Sequence, residues 1–289
     1  MTTDGLTLLD KPPGVTSFSA LKPLKSKLAT RRIGHAGTLD KFATGLLVVL
    51  IGRYTRLADL FSGLDKCYRA TITFGRSTDT LDPEGQTVEE GPVPGLEAIR
   101  SAVKELTGTI DQKPPVYSAV HVNGKRAYRI ARAGGEPKVV PRRITVHRID
   151  ILSYRSPELE VIVDCSKGTY IRALARDLGK LAGSCAYVQS LRRTRIGPYT
   201  VSEAVLPESF SGKENLLGSR ELLSRLDGIG VCTVRDESVA GVQNGQTLQD
   251  CFFTAAPNKD GLHQLLSSTG CLLALVTRDH GQYRYKVVL

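Results

Sequence analysis

Apolar residues recur along this chain with two periods, and each period predicts a kind of element. The run "TGLLVVLIG" is unbroken and bounded by glycines, the pattern of a strand buried on both faces. "CYRATITFG" (67–75) alternates apolar and polar positions and closes on a glycine, predicting a second strand with "RSTDTLDPEGQ" as a polar turn behind it. In "GLEAIRSAVKELTG" (95–108), Leu96, Ile99, Val103 and Leu106 fall at helical spacing, and Gly108 is placed to cap the end. "RITVHRIDILSY" and "ELEVIVDC" read as strands, "YIRALARDLGKLAG" carries a helical stripe of Ile171, Leu174, Leu178 and Leu181, and "CAYVQSLRRTRIG" reads as a strand again. Near the start, Ser17 or Ser19 is placed to cap a short basic helix running through Leu28. Between Asp111 and Pro141 a stretch rich in Pro, Gly and Lys/Arg, with an Asn-Gly turn in "SAVHVNGKR", looks like an excursion from the core.

The pattern changes near "ELLSRLDGIG". From about residue 228 short strands and Gly turns replace the helix signal, so a domain boundary is expected between 227 and 228. Phe252, Leu272, Leu273, Ala274, Leu275 and Val276 are the expected core of a β module of roughly 60 residues, marginal alone and adequate when docked.

Composition narrows the function. Lys and Arg exceed Asp and Glu by 39 to 29 in 289 residues, a net charge of +10 that suits a polyanionic partner. The positive residues cluster in "KPLKSK", "KRAYRIARAG", "PRRITVHR" and "LRRTR". No apolar stretch reaches the roughly 18 to 20 residues that cross a bilayer, and the first residues lack a basic-then-apolar leader, so a cytoplasmic protein without membrane contact is expected. The six cysteines form no CxxC pair and read as reduced, mostly buried thiols; the five histidines are scattered. With no GxxxxGK[ST], strand-linked GxGxxG, HExxH or GxSxG, neither a metal nor a cofactor is expected.

One carboxylate stands out. Asp40, in "GHAGTLDKFATGLLVVL", sits in a loop that enters the most apolar strand. An aspartate in such a loop ordinarily caps a turn. Here Gly34 and Gly37 allow close backbone approach, Thr38 and Thr44 are small donors, and a rigid strand follows, which is how a reactive carboxylate would be displayed.

The run "GHAGTLDKFATGLLVVLIGRYTRL" closely resembles the catalytic motif of the TruB-type tRNA pseudouridine synthases. "LLDKPPGVTS", "KCYRATITFGRSTDTLDPEG", "PPVYSAVHVNGKRAYRIARAG", "CSKGTYIRALARDLG" and "AYVQSLRRTRIGPY" follow the same family in order, so the resemblance covers about residues 5–205. Lys41 departs from it, standing where the family usually has proline. That change would loosen the loop or add a phosphate contact.

The resemblance implies an α+β fold: a mixed, mostly antiparallel central sheet flanked by helices (1–227, with an RNA-gripping insertion at about 111–141), followed by a small PUA-like β-barrel (228–289). It implies isomerisation of uridine to pseudouridine at uridine 55 in the T-loop of tRNA, by a protein expected to be a monomer acting on the T-arm. By the same resemblance Asp40 is the nucleophile, at C1′ or C6 or through a glycal. Arg172 is its partner, Tyr68 stacks on the base and assists proton removal, Tyr170 and Leu191 line the uracil pocket, and His35 enters the space left by the flipped nucleotide. Lys11, Arg126, Arg129, Arg132, Arg142 and Arg143 are the candidate phosphate contacts. Competing readings are the same chemistry on another RNA, a tRNA-folding chaperone with little turnover, and a base-removing glycosylase, which free uracil would distinguish.

Overall fold

The computed structural model describes residues 4–118, 120–122, 124–218 and 223–289. In chain order the strands are β1 (Gly5–Lys11), β2 (Ile33–His35), β3 (Thr44–Ile51), β4 (Lys66–Phe74), β5 (Arg76–Thr78), β6 (Thr87–Glu90), β7 (Gly108–Gln112), β8 (His121–Val122), β9 (Lys125–Arg126), β10 (Arg142–Arg155), β11 (Glu158–Cys165), β12 (Ala186–Ile196), β13 (Tyr199–Thr200), β14 (Ile229–Thr233), β15 (Gly261–Leu266), β16 (Leu272–Asp279) and β17 (Gln282–Val288). The helices that matter here are α1 (Lys22–Lys27), α2 (Ala58–Ser62), α3 (Leu96–Leu106), α4 (Ala127–Arg132) and α5 (Ile171–Leu181).

A nine-stranded sheet runs β1-β3-β12-β4-β11-β10-β7, with β2 on β3 and β13 on β12. Its pairs are antiparallel except β3 with β12, so the sheet is mixed and mostly antiparallel, and the class is α+β. At that parallel junction Gly45 has φ +104, and a Cβ there would lie 2.3 Å from the Arg193 carbonyl oxygen. Only glycine admits so close an approach.

The apolar run of β3 is explained by its two faces. Leu47, Val49 and Ile51 enter the main core with Tyr68, Ile72, Val161, Leu174 and Leu178. Leu46, Val48 and Leu50 enter a second core with Leu6, Leu8, Phe61 and Tyr199, to which Leu266, Leu272, Leu275 and Leu289 contribute from the C-terminal strands. A strand between two cores cannot alternate apolar with polar, because both pleat faces leave water.

Helices α3 and α5 pack on the main core through Ile99, Ala102 and Leu106 and through Ile171, Leu174 and Leu178. Leu181, expected in the same stripe, is 46% exposed because the helix ends there. Helix α3 ends at Leu106, and Gly108, at φ +112, turns the chain straight into β7. Ser17 and Ser19 cap no helix: the N-cap of α1 is Leu21, which offers no side-chain cap, and Ser17 turns inward instead.

Strands β8 and β9 pair as a separate two-stranded hairpin leading into α4; Asn123 of the expected Asn-Gly turn lies outside the described residues. Residues 229–288 form a sheet ordered β14-β15-β16-β17, which fits a PUA-like module; its pairing is linear among the described residues, and a closed barrel remains the expectation of the resemblance. Its own core holds Cys232, Val234, Val242, Phe253, Leu265, Leu273 and Val276. Phe253 takes the place expected of Phe252, which is half-buried, while Leu272 and Leu275 face the second core. All six cysteines are free thiols: Cys165, Cys185 and Cys232 are buried, Cys67 is half-buried, and Cys251 and Cys271 are exposed.

Candidate active site

Asp40 lies in the loop between β2 and β3, and buried groups hold that loop from two sides. The Ser17 hydroxyl accepts from the Leu39 N–H (2.8 Å) and donates to the Leu39 carbonyl (3.0 Å). The Lys11 ammonium donates to the carbonyls of Pro12, Val15 and Lys41 at 2.9, 2.8 and 3.2 Å. From β12, Arg193 donates to the Gly37 and Leu46 carbonyls at 2.9 and 2.8 Å. The carboxylate is thus displayed on a braced backbone, with its side chain 38% exposed.

Arg172 meets it from the first turn of α5. Nε reaches Oδ2 of Asp40 at 2.8 Å and a terminal nitrogen reaches Oδ1 at 3.1 Å, a two-point ion pair. The remaining guanidinium hydrogens go to the Thr80 carbonyl (2.7 Å), the Tyr117 carbonyl (2.9 Å) and the Asp82 carboxylate (3.3 Å). Every N–H of the guanidinium therefore has an acceptor, although its side chain is only 5% exposed. Asp82 accepts from the Thr80 hydroxyl (2.6 Å) and the Glu84 N–H (3.0 Å). Burial raises the Asp82 pKa above the ordinary carboxylate range, against the pull of the Thr80 hydroxyl and Arg172. One cation thus bridges a buried carboxylate and a half-exposed one.

The other expected pocket residues gather nearby. Tyr68, on β4, is 8% exposed; burial raises its phenol's pKa, with the Arg193 guanidinium pulling the other way and Asp40 close enough to add to the rise. Tyr170 precedes α5, its backbone held by Gln112, whose side chain accepts from the Tyr170 N–H (2.8 Å) and donates to its carbonyl (3.1 Å). Leu191 is buried on β12, opposite Ala70 of β4. His35, on β2, has its imidazole pKa lowered by burial and by Arg193, and its Nδ1 is buried without a partner among the described residues. A groove of about 440 Å³ opens beside Leu191, between Pro13, Phe42 and Pro83.

Arg126, Arg129, Arg132, Arg142 and Arg143 are all exposed, on β9, α4 and β10. Lys11 is a correction. It is fully buried with its ammonium on three backbone carbonyls, and burial pushes its pKa down to about 8 against Asp40 and Glu84, so it braces the loop where a phosphate contact was expected. Lys41 sends its side chain to solvent, 3.5 Å from Glu84, while its carbonyl serves the loop by accepting from Lys11 and from the Gly14 N–H.

Sequence reasoning missed Asp82, Arg193, Ser17 and Gln112. Nothing in "RSTDTLDPEGQ" marks which aspartate turns inward. For Arg193 a signal existed: strand alternation puts it on the face of Leu191, while Arg192 points away to pair with Asp10 at 2.6 Å.

The sequence profile of the "TruB family pseudouridylate synthase (N terminal domain)" matches residues 25–171, and that of the "tRNA pseudouridylate synthase B C-terminal domain" matches 172–217. A tRNA pseudouridine synthase B of Borreliella afzelii is 39% identical over 289 residues, covering 99% of each chain. Its namesake in Borreliella burgdorferi is 45% identical over 224 residues, 76% of this chain and 79% of the other. Among solved structures, a chain of a Cbf5-Nop10-Gar1 complex superposes with a TM-score of 0.72 at 24% identity, covering 98% of this chain and 84% of that one, which bears on the fold. The chain belongs to the TruB family of pseudouridylate synthases.

Proposed function

We propose that this chain isomerises uridine 55 in the T-loop of tRNA, with Asp40 as the nucleophile. The observation that carries the reading is the two-point pair between half-exposed Asp40 and buried Arg172. In the reaction the N1–C1′ bond breaks, the uracil turns, C5 bonds to C1′, and C5 loses a proton while N1 gains one, so no atom is gained or lost. The chemistry needs a group that captures or stabilises the separated sugar and base, and a group that moves a proton.

Asp40 supplies the first, by attack at C1′ or C6 or by stabilising a glycal. Arg172 fixes the orientation of its oxygens, and the apolar walls of Leu191 and Tyr170 strengthen that pair by excluding water. Tyr68 stacks on the base and relays the C5 proton, its phenol kept protonated by burial. A T-loop uridine must leave its stack first; His35 enters the vacated space, and the exposed arginines of β9, α4 and β10 hold the backbone while it does. In this reading residues 1–227 carry catalysis and 228–289 add a second RNA contact.

The test is mass-spectrometric mapping of pseudouridine in unmodified tRNA transcripts after incubation with the protein or its Asp40→Asn variant. One pseudouridine in the T-loop, absent with the variant while RNA affinity persists, is the expected result. Turnover retained in the variant would mean that another group is the nucleophile, and released uracil would turn the reading into base removal.

A further inference from the structure

Between Asp10 and Asp40 the sequence holds Lys11, Lys22, Lys25, Lys27, Arg31 and Arg32 and no acid. The two bounding aspartates are themselves committed elsewhere, to Arg192 and to Arg172. Lys11 is buried and Lys27 is tied to the Glu208 and Phe210 carbonyls, but Lys22, Arg31 and Arg32 are exposed, and no carboxylate pairs with them among the described residues. This stretch carries positive charge that the Asp40 chemistry does not use.

In the same stretch of sequence Phe18 is 61% exposed. The Lys25 ammonium lies 3.8 Å from the centre of its ring, so one face carries a cation and the rest is open. Phe18 also stands next to Ser17, the residue that clamps Leu39, and Leu39 precedes Asp40. The exposed ring is therefore anchored to the loop that displays the carboxylate.

We infer that Phe18, backed by Lys25, is a stacking platform for an unpaired base of the RNA whose uridine enters the Asp40 site, with Lys22, Arg31 and Arg32 meeting its phosphates. The inference rests on the RNA reading of that site. An open ring with a cation on one face, in a stretch whose exposed cations have no carboxylate partner among the described residues, fits a nucleic acid, because base stacking needs one π-face and the backbone needs the charge. A protein partner would ask for a wider apolar area than one phenyl ring.

The chain has no tryptophan, so Phe18→Trp places a lone indole at the platform. Titrating that variant with unmodified tRNA transcript should quench its emission at the affinity measured by filter binding. Heparin, a polyanion without bases, should bind and leave the emission unquenched. Phe18→Ala should weaken tRNA binding on the order of tenfold without changing its salt dependence, whereas Lys22→Gln should lower the salt slope by somewhat under one. RNA bound without quenching, or Phe18→Ala binding like the parent, overturns the inference. If the parent forms pseudouridine and Phe18→Ala binds normally, only the platform fails. If quenching and weakened binding are seen with no pseudouridine formed, the platform stands and the proposed activity fails.

Discussion

The Asp40 centre and the segment from β8 to the start of β10 hold charge in opposite ways. At the centre, Arg172 and Asp82 are almost fully buried, and every guanidinium hydrogen has a fixed acceptor. In the segment, Arg126, Arg129, Arg132, Arg142 and Arg143 face water, and the contacts of Arg129 and Arg132 are loose ones to Tyr128, at 3.4 Å to its hydroxyl and 5.6 Å to its ring. Buried, fully partnered charge is rigid and sensitive to any missing partner. Solvated charge is tolerant, and gains mainly by releasing counterions from a polyanion. The first kind suits chemistry, the second suits holding a substrate, and the two should fail differently when altered.

The largest effect should come from Arg172→Met. It leaves Asp82 buried without its cation and Asp40 without its clamp. Stability should fall by about 3–5 kcal/mol, and single-turnover pseudouridine formation by about 10³-fold or more. Chemical denaturation and rapid-quench assays would check the two losses separately. Full activity in this variant would break the distinction between the regions, since a buried charge would then be as dispensable as an exposed one.

Next comes Lys11→Met, which deprives three backbone carbonyls of a donor and should cost about 2–4 kcal/mol. Its pH signature is specific. Burial lowers the Lys11 pKa to about 8 from 10.5, so between those values the unfolded chain binds the proton that the folded chain has released. Stability then gains a rising contribution with pH across that window, and the penalty is fully present below about 8. Thermal unfolding at intervals from pH 7.5 to 10.5 should show the parent gaining on the variant as pH rises; the difference is the readout because Lys66, also lowered to about 8, adds a rise to both, and the buried Cys165 thiol, raised to about 12, adds a fall to both.

The exposed segment should respond more gently. Replacing Arg126, Arg129 and Arg132 together by Gln should leave the folded state within about 1 kcal/mol of the parent and turnover at saturating RNA unchanged. The tRNA dissociation constant should rise, and the slope of log K against log salt should become shallower by roughly 2 to 3. A variant that lost turnover at saturation, with the salt slope unmoved, would assign these arginines to the chemistry.

The two regions were also unequally legible in the sequence. The strands and helices around the centre could be placed because burial imposes a period: β3 lost its alternation because two cores claim it, and α5 kept a 3.6-residue stripe because one does. Asp40 stood out by its place before the most apolar strand, Tyr68 and Arg172 were picked out by resemblance, and the fold brings them together. Asp82 was not, since a carboxylate that bonds Thr80 and Arg172 across the fold looks like any acid in a polar turn. Lys11 was read as an outward charge, and Arg193 only as part of a basic run, because composition cannot distinguish a cation in water from one capping buried carbonyls. Phe252 and Phe253 were exchanged for a related reason: in a short-strand region a one-residue error in register reverses inside and outside.

Lys41 sits on the border between the two regions and sharpens the comparison most finely. It adjoins Asp40, yet its side chain is 56% exposed and its contact with Glu84, at 3.5 Å, is a surface pair worth about 0–1 kcal/mol. What the buried loop takes from Lys41 is its carbonyl, held by Lys11 and Gly14, and a proline supplies the same carbonyl. Lys41→Pro should therefore change stability by less than about 1 kcal/mol. Because proline also confines the preceding residue to extended backbone, the sensitive readout is the rate of the Asp40 step, expected within about twofold of the parent. A rate drop of tenfold or more would show that the loop uses the backbone freedom or N–H that lysine retains, and Lys41 would then belong with the centre. A shallower salt slope at unchanged rate would place it with the arginines, as one more solvated cation on the path of the RNA.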